Sequence, residues 1–134
     1  MRIDWNELWI NFALLVSQRS SDKKYQVGCV IVSEDNTKVL ALGYNGDEKG
    51  GSNKRSSMES GKSGFIHAEI NALIKCDFNY NGNKIMYLTH SPCKMCAKAI
   101  INGGISKVFY LNEYSDTSGI SLLRSKKIKC VRIS

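Results

Sequence analysis

Apolar residues recur along the chain with two periods, one typical of helices and the other of strands. In the first segment the spacing is helical and predicts a core-facing helix over residues 4–19. Its apolar residues are Trp5, Leu8, Trp9, Phe12, Leu15 and Val16. Asp4 and Glu7 form a capping-box pattern at the start of this helix. The periodicity indicates that both tryptophans pack in the core and do not form a surface on which bases stack.

Two runs of β-branched and apolar residues follow, at positions 27–33 and 38–44, with polar residues between them. This arrangement predicts a β-hairpin with antiparallel strands. The second run ends in Gly43-Tyr44-Asn45-Gly46, where glycine and asparagine allow either a plain turn or a close approach of the backbone to a ligand. Residues 47–64 are rich in Gly, Ser, Lys and Met without apolar periodicity, which predicts a long surface loop.

The second half of the chain alternates between the two periods. We predict helices over 65–76, 93–103 and 117–125 and strands over 85–89, 107–111 and 128–133. The apolar face of the first of these helices is expected to comprise Ile66, Ile70, Leu73 and Ile74. The order of elements predicts an α/β fold in three layers (α-β-α), with a five-stranded mixed sheet flanked by helices. Strands joined through a helix should pair in parallel through right-handed crossovers.

Length and composition are those of one globular domain spanning residues 1–134, with 43% hydrophobic and 23% charged residues. The sequence has no internal repeat, signal peptide or apolar run long enough to cross a membrane, so we expect a cytoplasmic protein. Five cysteines in such a chain, two of them in metal-ligand spacing, favour a metal site over disulfides. We expect the other three, Cys29, Cys76 and Cys130, to be free, buried thiols.

The formal net charge of +7 favours partners that carry phosphate, either nucleotides or nucleic acid. The basic residues are spread along the chain and form no long block of like charge, which argues mildly against a polymer. Several are candidates for phosphate contacts, before the first strand or in the long loop: Arg19, Lys23, Lys24, Lys49, Lys54, Arg55 and Lys62. For any single basic residue of the loop, a solvated surface charge is the more common role.

The chemistry of the chain is concentrated in the segments His67-Ala68-Glu69 and Pro92-Cys93-Lys94-Met95-Cys96. The pattern H-x-E followed by P-C-x-x-C is typical of zinc-dependent nucleobase deaminases. Zinc binds imidazole nitrogen and thiolate sulfur, and a catalytic zinc keeps three protein ligands and an open position for water. His67, Cys93 and Cys96 are therefore the predicted ligands of one zinc ion, at two helix N-termini. Glu69 is the predicted general base beside that water, and His90 is expected at the surface or behind the ligands.

Four runs of the chain resemble deoxycytidylate (dCMP) deaminases: residues 26–32, 43–46, 67–73 and 92–108. The zinc motif alone would fit many deaminases, and the G-Y-N-G turn and the C-A-K-x-I-I-x-x-G-I pattern that begins at Cys96 narrow the resemblance to the dCMP deaminases. The resemblance covers nearly the whole chain. It implies zinc-dependent hydrolytic deamination of dCMP to dUMP with release of ammonia, which supplies dUMP for thymidylate synthesis. In that chemistry Glu69 acts first as base and then as acid, at N3 and at the leaving amine of the pyrimidine.

The same resemblance implies which residues bind nucleotides. Asn45 is expected at the sugar or base and Val27 in the base pocket, with further substrate contacts at Ala68, Ser91 and Tyr114. Members of the family are often hexamers that dCTP activates and dTTP inhibits, with Mg²⁺ on the triphosphate. The regulatory site of such members involves a turn that is present here as Gly43, Tyr44, Asn45 and Gly46.

The chain departs from the family pattern after this turn. Relatives commonly carry a proline after the turn and a Pro-Trp pair further along, whereas this chain has Asp47-Glu48-Lys49-Gly50-Gly51 and no tryptophan there. The loop also has no cysteine or histidine before His67, so the second, structural zinc of some relatives has no evident ligands. The resemblance therefore predicts the geometry of this loop, and the details of regulation, least well.

Other interpretations remain open. A tRNA or single-stranded DNA deaminase would use the same metal site, and the net charge is compatible with it, although the G-Y-N-G turn favours a mononucleotide. A free cytidine deaminase is disfavoured because that branch typically has cysteine where His67 stands. A non-catalytic zinc-binding or nucleic-acid-binding module would need a fourth protein ligand, from His90 or a distant cysteine, and would leave Glu69 without a role.

Overall fold

The structure is a computed structural model that describes residues 1–133 and has four helices and five strands in that range. They follow the predicted order: α1 (Trp5–Ser17), β1 (Gly28–Ser33), β2 (Val39–Tyr44), α2 (Ala68–Lys75), β3 (Lys84–His90), α3 (Lys94–Asn102), β4 (Ile105–Asn112), α4 (Ser118–Ser125) and β5 (Lys129–Arg132). The carboxylate of Asp4 caps α1 by accepting a hydrogen bond from the Asn6 N–H at 3.2 Å. No helix in the described range is long and apolar enough to cross a membrane.

The five strands form one mixed sheet in the order β2-β1-β3-β4-β5. β1 is antiparallel to β2, as the hairpin predicts, and also antiparallel to β3, whereas β3, β4 and β5 are mutually parallel. The prediction that helix-joined strands pair in parallel is therefore right for β3, β4 and β5 but wrong for β2 and β3. β1 lies between those two strands, because all six of its residues are buried and a strand that is apolar on both faces belongs inside the sheet.

Helices cover both faces of the sheet, which confirms the predicted three layers. On one face, α1 contributes Trp9, Ile10, Ala13 and Val16 to a core shared with alternate residues of the sheet. On the other face, the core contains residues of α2, α3 and α4: Ala68, Ala72, Ala97, Ile100, Ile120 and Leu123. This second layer matters for function, because its helices carry the predicted ligands.

The predicted faces of α1 and α2 need correction. In α1, Trp9 and Val16 are buried as expected, but Trp5 and Leu15 are 46% and 65% exposed. In α2, Ile74 is 71% exposed, and the buried positions are Ala68, Glu69 and Ala72. The reason in α2 is the short distance between the helix and the sheet, which leaves room for alanine but not for isoleucine.

Residues 47–64 form no helix or strand, as predicted. The ends of this loop are held together by Gly46 and Ile66, whose backbones exchange hydrogen bonds of 3.1 and 2.9 Å. The predicted free thiols are also found, since all five cysteines lack a disulfide. Cys29 and Cys130 are buried, but Cys76 is only partly buried because it follows the last turn of α2 at the surface.

Candidate active site

The three predicted zinc ligands come together at two helix N-termini. The Nδ1 atom of His67 lies 3.2 Å from the Sγ of Cys96 and 3.6 Å from the Sγ of Cys93. His67 is the N-cap of α2 and Cys93 the N-cap of α3, each with an extended backbone, so both lie at the start of a helix. The Cys96 N–H donates a hydrogen bond of 3.4 Å to the Cys93 sulfur.

The spacing of these donor atoms fits zinc. With the usual zinc bond lengths, a tetrahedral ion places an imidazole nitrogen and a thiolate sulfur about 3.5 Å apart. The two nitrogen–sulfur distances here are 3.2 and 3.6 Å. Within residues 1–133, the group of mutually close donors consists of His67, Cys93 and Cys96, all within 4.8 Å of one another. A tetrahedral ion held by three protein atoms has one position left for water, as in catalytic sites.

The two sulfur atoms differ in their affinity for protons. A hydrogen bond from the Cys96 side chain and a smaller effect of His67 lower the pKa of the Cys93 thiol to about 4, against the opposing effect of burial. The same contact raises the pKa of Cys96, together with burial and the charge of Glu69. A metal ion that binds both sulfur atoms must therefore displace the proton of Cys96.

Glu69 lies beside this group in the first turn of α2, with only 4% of its surface exposed. Burial raises the pKa of its carboxyl to about 7, against the lowering effects of its backbone hydrogen bond and of His67. A group that titrates near neutral pH can both accept and donate a proton during one reaction. The role of general base for Glu69 stays a prediction, and its burial and raised pKa are compatible with it.

A cleft of about 270 Å³ opens in front of the ligands, where β1 begins and β2, β3 and β4 end. Its wall includes four of the five predicted substrate residues, Val27, Asn45, Ala68 and Tyr114, together with His67, Glu69 and Cys93. Ser91, the fifth, is fully buried and is not among the lining residues. Its hydroxyl accepts a hydrogen bond of 2.9 Å from the Tyr114 N–H, so it fixes the chain that carries Tyr114.

A family model described as the cytidine and deoxycytidylate deaminase zinc-binding region matches residues 3–112. The chain belongs to this family. The membership confirms the predicted relationship, the deaminase class of enzyme and the zinc-binding character of the domain, to which the His67, Cys93 and Cys96 group corresponds.

Members of the deaminase family with similar sequences include animal and phage proteins. A probable deoxycytidylate deaminase of Drosophila melanogaster is 36% identical over 132 residues, which cover 85% of this chain but 63% of that protein. The deoxycytidylate deaminase of Mycobacterium phage D29 is 32% identical over 127 residues, 84% of this chain and 98% of that protein. The crystal structure of the dCMP deaminase from cyanophage S-TIM5, in complex with dCMP and dUMP, has 33% identity and a TM-score of 0.85 over 99% of each chain.

The turn that follows β2 in this deaminase contributes one residue, Asn45, to the lining of the cleft. The Asn45 amide donates to the Tyr25 carbonyl and the Asp22 carboxylate at 2.9 and 3.2 Å, and its oxygen accepts from the Val27 N–H at 2.9 Å. Gly43 is buried beneath α2, and the guanidinium of Arg19 lies 5.9 Å from the ring centre of Tyr44. Regulation through Gly43, Tyr44, Asn45 and Gly46 therefore stays a prediction.

Sequence reasoning missed a cluster of aromatic rings that line the cleft. The rings of His90 and Tyr114 stack with centroids 5.4 Å apart, and the Tyr25 ring meets Tyr114 edge-on at 5.8 Å. His90, expected at the surface or behind the ligands, lines the cleft instead. These residues come from the ends of different strands, so no local pattern in the sequence brings them together.

Sequence reasoning also missed the pairing of Asp22 with Arg55, both of which line the cleft. Of the seven basic residues considered for phosphate contacts, Arg55 is the one that lines it. The side chains of Lys23, Lys49, Lys54 and Lys62 are exposed. The only sign of this pair in the sequence is the opposite charge of two residues that are 33 positions apart.

Proposed function

We propose that this chain catalyses the hydrolytic deamination of dCMP to dUMP with release of ammonia, and so supplies dUMP for thymidylate synthesis. The observation that carries the proposal is a buried carboxyl, Glu69, beside a three-donor group suited to zinc on the wall of one cleft. The cyanophage enzyme, which is similar over its full length, was crystallised with dCMP and dUMP, and this supports the choice of substrate. Residues 1–134 then act as one catalytic domain.

His67, Cys93 and Cys96 would hold the zinc ion, which would supply Lewis acidity and so lower the pKa of a bound water molecule. Glu69 accepts a proton from the attacking water and donates it to N3 of the cytosine ring, which makes C4 more electrophilic. Glu69 then passes a second proton to the exocyclic amine, so that water and the amino group become a carbonyl oxygen and ammonia. A carboxyl with a pKa of about 7 suits both transfers, because it gains and loses a proton easily near neutral pH.

The cleft also suits a pyrimidine ring. Val27 and Ala68 line it with apolar groups, and the stacked pair of His90 and Tyr114 lines it with aromatic rings. We assign the base to the space between them, with C4 toward Glu69 and the sugar toward Asn45. Because the polar atoms of Asn45 are already bonded to the protein, its main effect is to hold the cleft in shape.

The test compares dCMP, deoxycytidine, dCTP and a cytosine-containing oligonucleotide, followed by ammonia release or by the ultraviolet change from cytosine to uracil. We expect turnover of dCMP, and a fall in kcat of about 10²–10⁴-fold for Glu69→Gln with the zinc content unchanged. Glu59→Gln, which changes an exposed acid of the loop, is the matched control and should keep wild-type activity. Preferred turnover of the oligonucleotide would favour the polymer deaminase, and full zinc occupancy without any turnover would favour the binding module.

We further propose that the enzyme is a cytoplasmic homo-oligomer, a hexamer by resemblance, activated by dCTP and inhibited by dTTP with Mg²⁺ on the triphosphate. The presence of the Gly43-to-Gly46 turn supports this proposal. Exposed apolar side chains on or next to α2 and α3 also support self-association: Ile74, Phe78 and Met95 are 71%, 73% and 69% exposed. The rate of dUMP formation as a function of dTTP concentration tests the regulation.

A further inference from the structure

The cleft holds little positive charge for an enzyme that acts on a nucleotide. Among its lining residues in the described range 1–133, Arg55 is the one lysine or arginine, whereas Asp22, Glu69 and Asp116 are acidic. A phosphate group in such a cleft needs a cation or a set of N–H and O–H donors to replace its water shell. Arg55 is therefore the residue to consider first.

Three hydrogen bonds hold Arg55 in place, and part of its guanidinium can still donate to a further acceptor. Its Nε donates to the carbonyl of Ser57 at 3.0 Å, and its Nη1 donates to Oδ1 and Oδ2 of Asp22 at 2.7 and 2.5 Å. A guanidinium has five N–H donors, and these bonds leave those on Nη2 for another acceptor. The Arg55 side chain is only 8% exposed and is among the residues that line the cleft.

Asp22 orients Arg55 without being available to bind a cationic ligand. Besides the guanidinium, its carboxylate accepts hydrogen bonds from the Lys24 N–H at 2.8 Å and from the Asn45 amide at 3.2 Å. An arginine fork can bind a carboxylate along one edge and a phosphate along the other. Asp22 is thus a positioning residue that presents Arg55 to the cleft.

The loop that carries Arg55 brings further donors to the same wall. Ser60, Gly61 and Ser63 line the cleft, and the Ser56 N–H bonds to the Ser63 carbonyl at 2.7 Å, which draws that part of the loop toward Arg55. Gly61 has a φ of +78°, a conformation that turns its backbone and that L-residues rarely adopt. Hydroxyl and N–H groups on such a turn are suited to an anion.

We propose that Arg55 binds the 5′-phosphate of the nucleotide, with Ser60 to Ser63 as supporting donors. This inference rests on the proposed function and names the part of the same site that distinguishes a nucleotide from a nucleoside. It also assigns a role to the loop at which the chain departs from the family pattern. The loop supplies the phosphate contact through Arg55, and the ion pair of Arg55 with Asp22 holds the loop at the cleft.

The experiment measures kcat/KM for dCMP and for deoxycytidine in the zinc-loaded wild type, Arg55→Gln, Arg55→Lys and Lys54→Gln. Arg55→Gln should lower the preference for dCMP over deoxycytidine by about 10- to 100-fold, the range for losing one hydrogen bond between charged groups. Arg55→Lys, which keeps the charge but not the fork, should give an intermediate loss. Lys54→Gln removes the same charge from the exposed neighbour and should leave the preference unchanged.

Binding of the product by titration calorimetry gives a second readout that does not depend on turnover. The wild type should bind dUMP more tightly than deoxyuridine, and Arg55→Gln should reduce this difference by the same 10- to 100-fold factor. Equal losses for the phosphorylated and unphosphorylated ligands would overturn the assignment and leave Arg55 a structural residue. If the wild type turns over no cytosine compound, the proposed function fails, and the dUMP titration still decides the role of Arg55.

Discussion

Cys96 is the most deeply buried of the predicted zinc ligands, with 1% of its surface exposed, whereas His67 and Cys93 are half-buried. Its sulfur lies 3.2 Å from the Nδ1 of His67, across the interface between α2 and α3. A metal ion bound to these atoms connects the two helices. Because such a site does not exist in the unfolded chain, the free energy of metal binding contributes to the stability of the fold.

We predict that Cys96→Ala loses bound zinc. Cys130→Ala, which truncates an equally buried cysteine in β5, should retain it. Zinc per chain is measured by atomic absorption, and the melting temperature is recorded with and without a chelator. The chelator should lower the melting temperature of the wild type and Cys130→Ala but not that of Cys96→Ala. Full zinc occupancy in Cys96→Ala would refute the proposed ligand set.

At the scale of elements, the position of α2 decides where His67 and Glu69 lie. This helix packs against β2 at Gly43, where an added Cβ would lie 2.5 Å from the Ala72 nitrogen and 2.6 Å from the Ala68 oxygen. Both are backbone atoms, which cannot move without displacing the helix. Gly43 is therefore required by close packing, independently of any role in regulation.

Gly43→Ala should push α2 away from the sheet. We expect it to lower the free energy of unfolding by about 1–3 kcal/mol, as overpacking usually does, and to reduce kcat because Glu69 moves with the helix. Gly46→Ala, in the same turn, is the control for stability, since the nearest atom to its added Cβ is 3.9 Å away. Denaturant unfolding of both variants gives the comparison, and equal stabilities would contradict this account of α2.

At the scale of the whole molecule, the proposed regulation requires communication between copies of the chain. The exposed Ile74, Phe78 and Met95 are on or next to the helices that carry the ligands, α2 and α3. Met95 lies in the first turn of α3, between Cys93 and Cys96, whereas Ile74 and Phe78 lie at or just after the C-terminal end of α2, so contact between copies there would reach the site through both helices. Self-association and catalysis are therefore expected to be linked.

We predict that dTTP with Mg²⁺ lowers the rate at subsaturating dCMP, that dCTP raises it, and that the dependence on dCMP is sigmoidal. Changes of about 5- to 150-fold in apparent affinity are usual for such coupling. Light scattering should give the mass of a hexamer. A rate that dTTP leaves unchanged at every dCMP concentration would exclude this regulation, and a monomeric mass would exclude the oligomer.

The sequence by itself determined the order of elements and the predicted metal ligands. Cys93 and Cys96 are three residues apart, which places them on one side of a helix start, and His67 and Glu69 are two residues apart at the start of another helix. The hairpin is likewise local, since its strands are joined by a short polar turn. Patterns of this kind depend on neighbours in the chain, which the sequence shows directly.

Only the tertiary structure decided the strand order, the inward faces of α1 and α2, and the wall of the cleft. β1 separates β2 from β3 because the sheet buries its most apolar strand, and α2 presents alanines inward because Gly43 lets it approach closely. Arg55 meets Asp22 across 33 residues, and no periodicity reports such a contact. Packing and charge pairing between distant segments are properties of the folded chain as a whole, so they are not encoded in any single stretch of it.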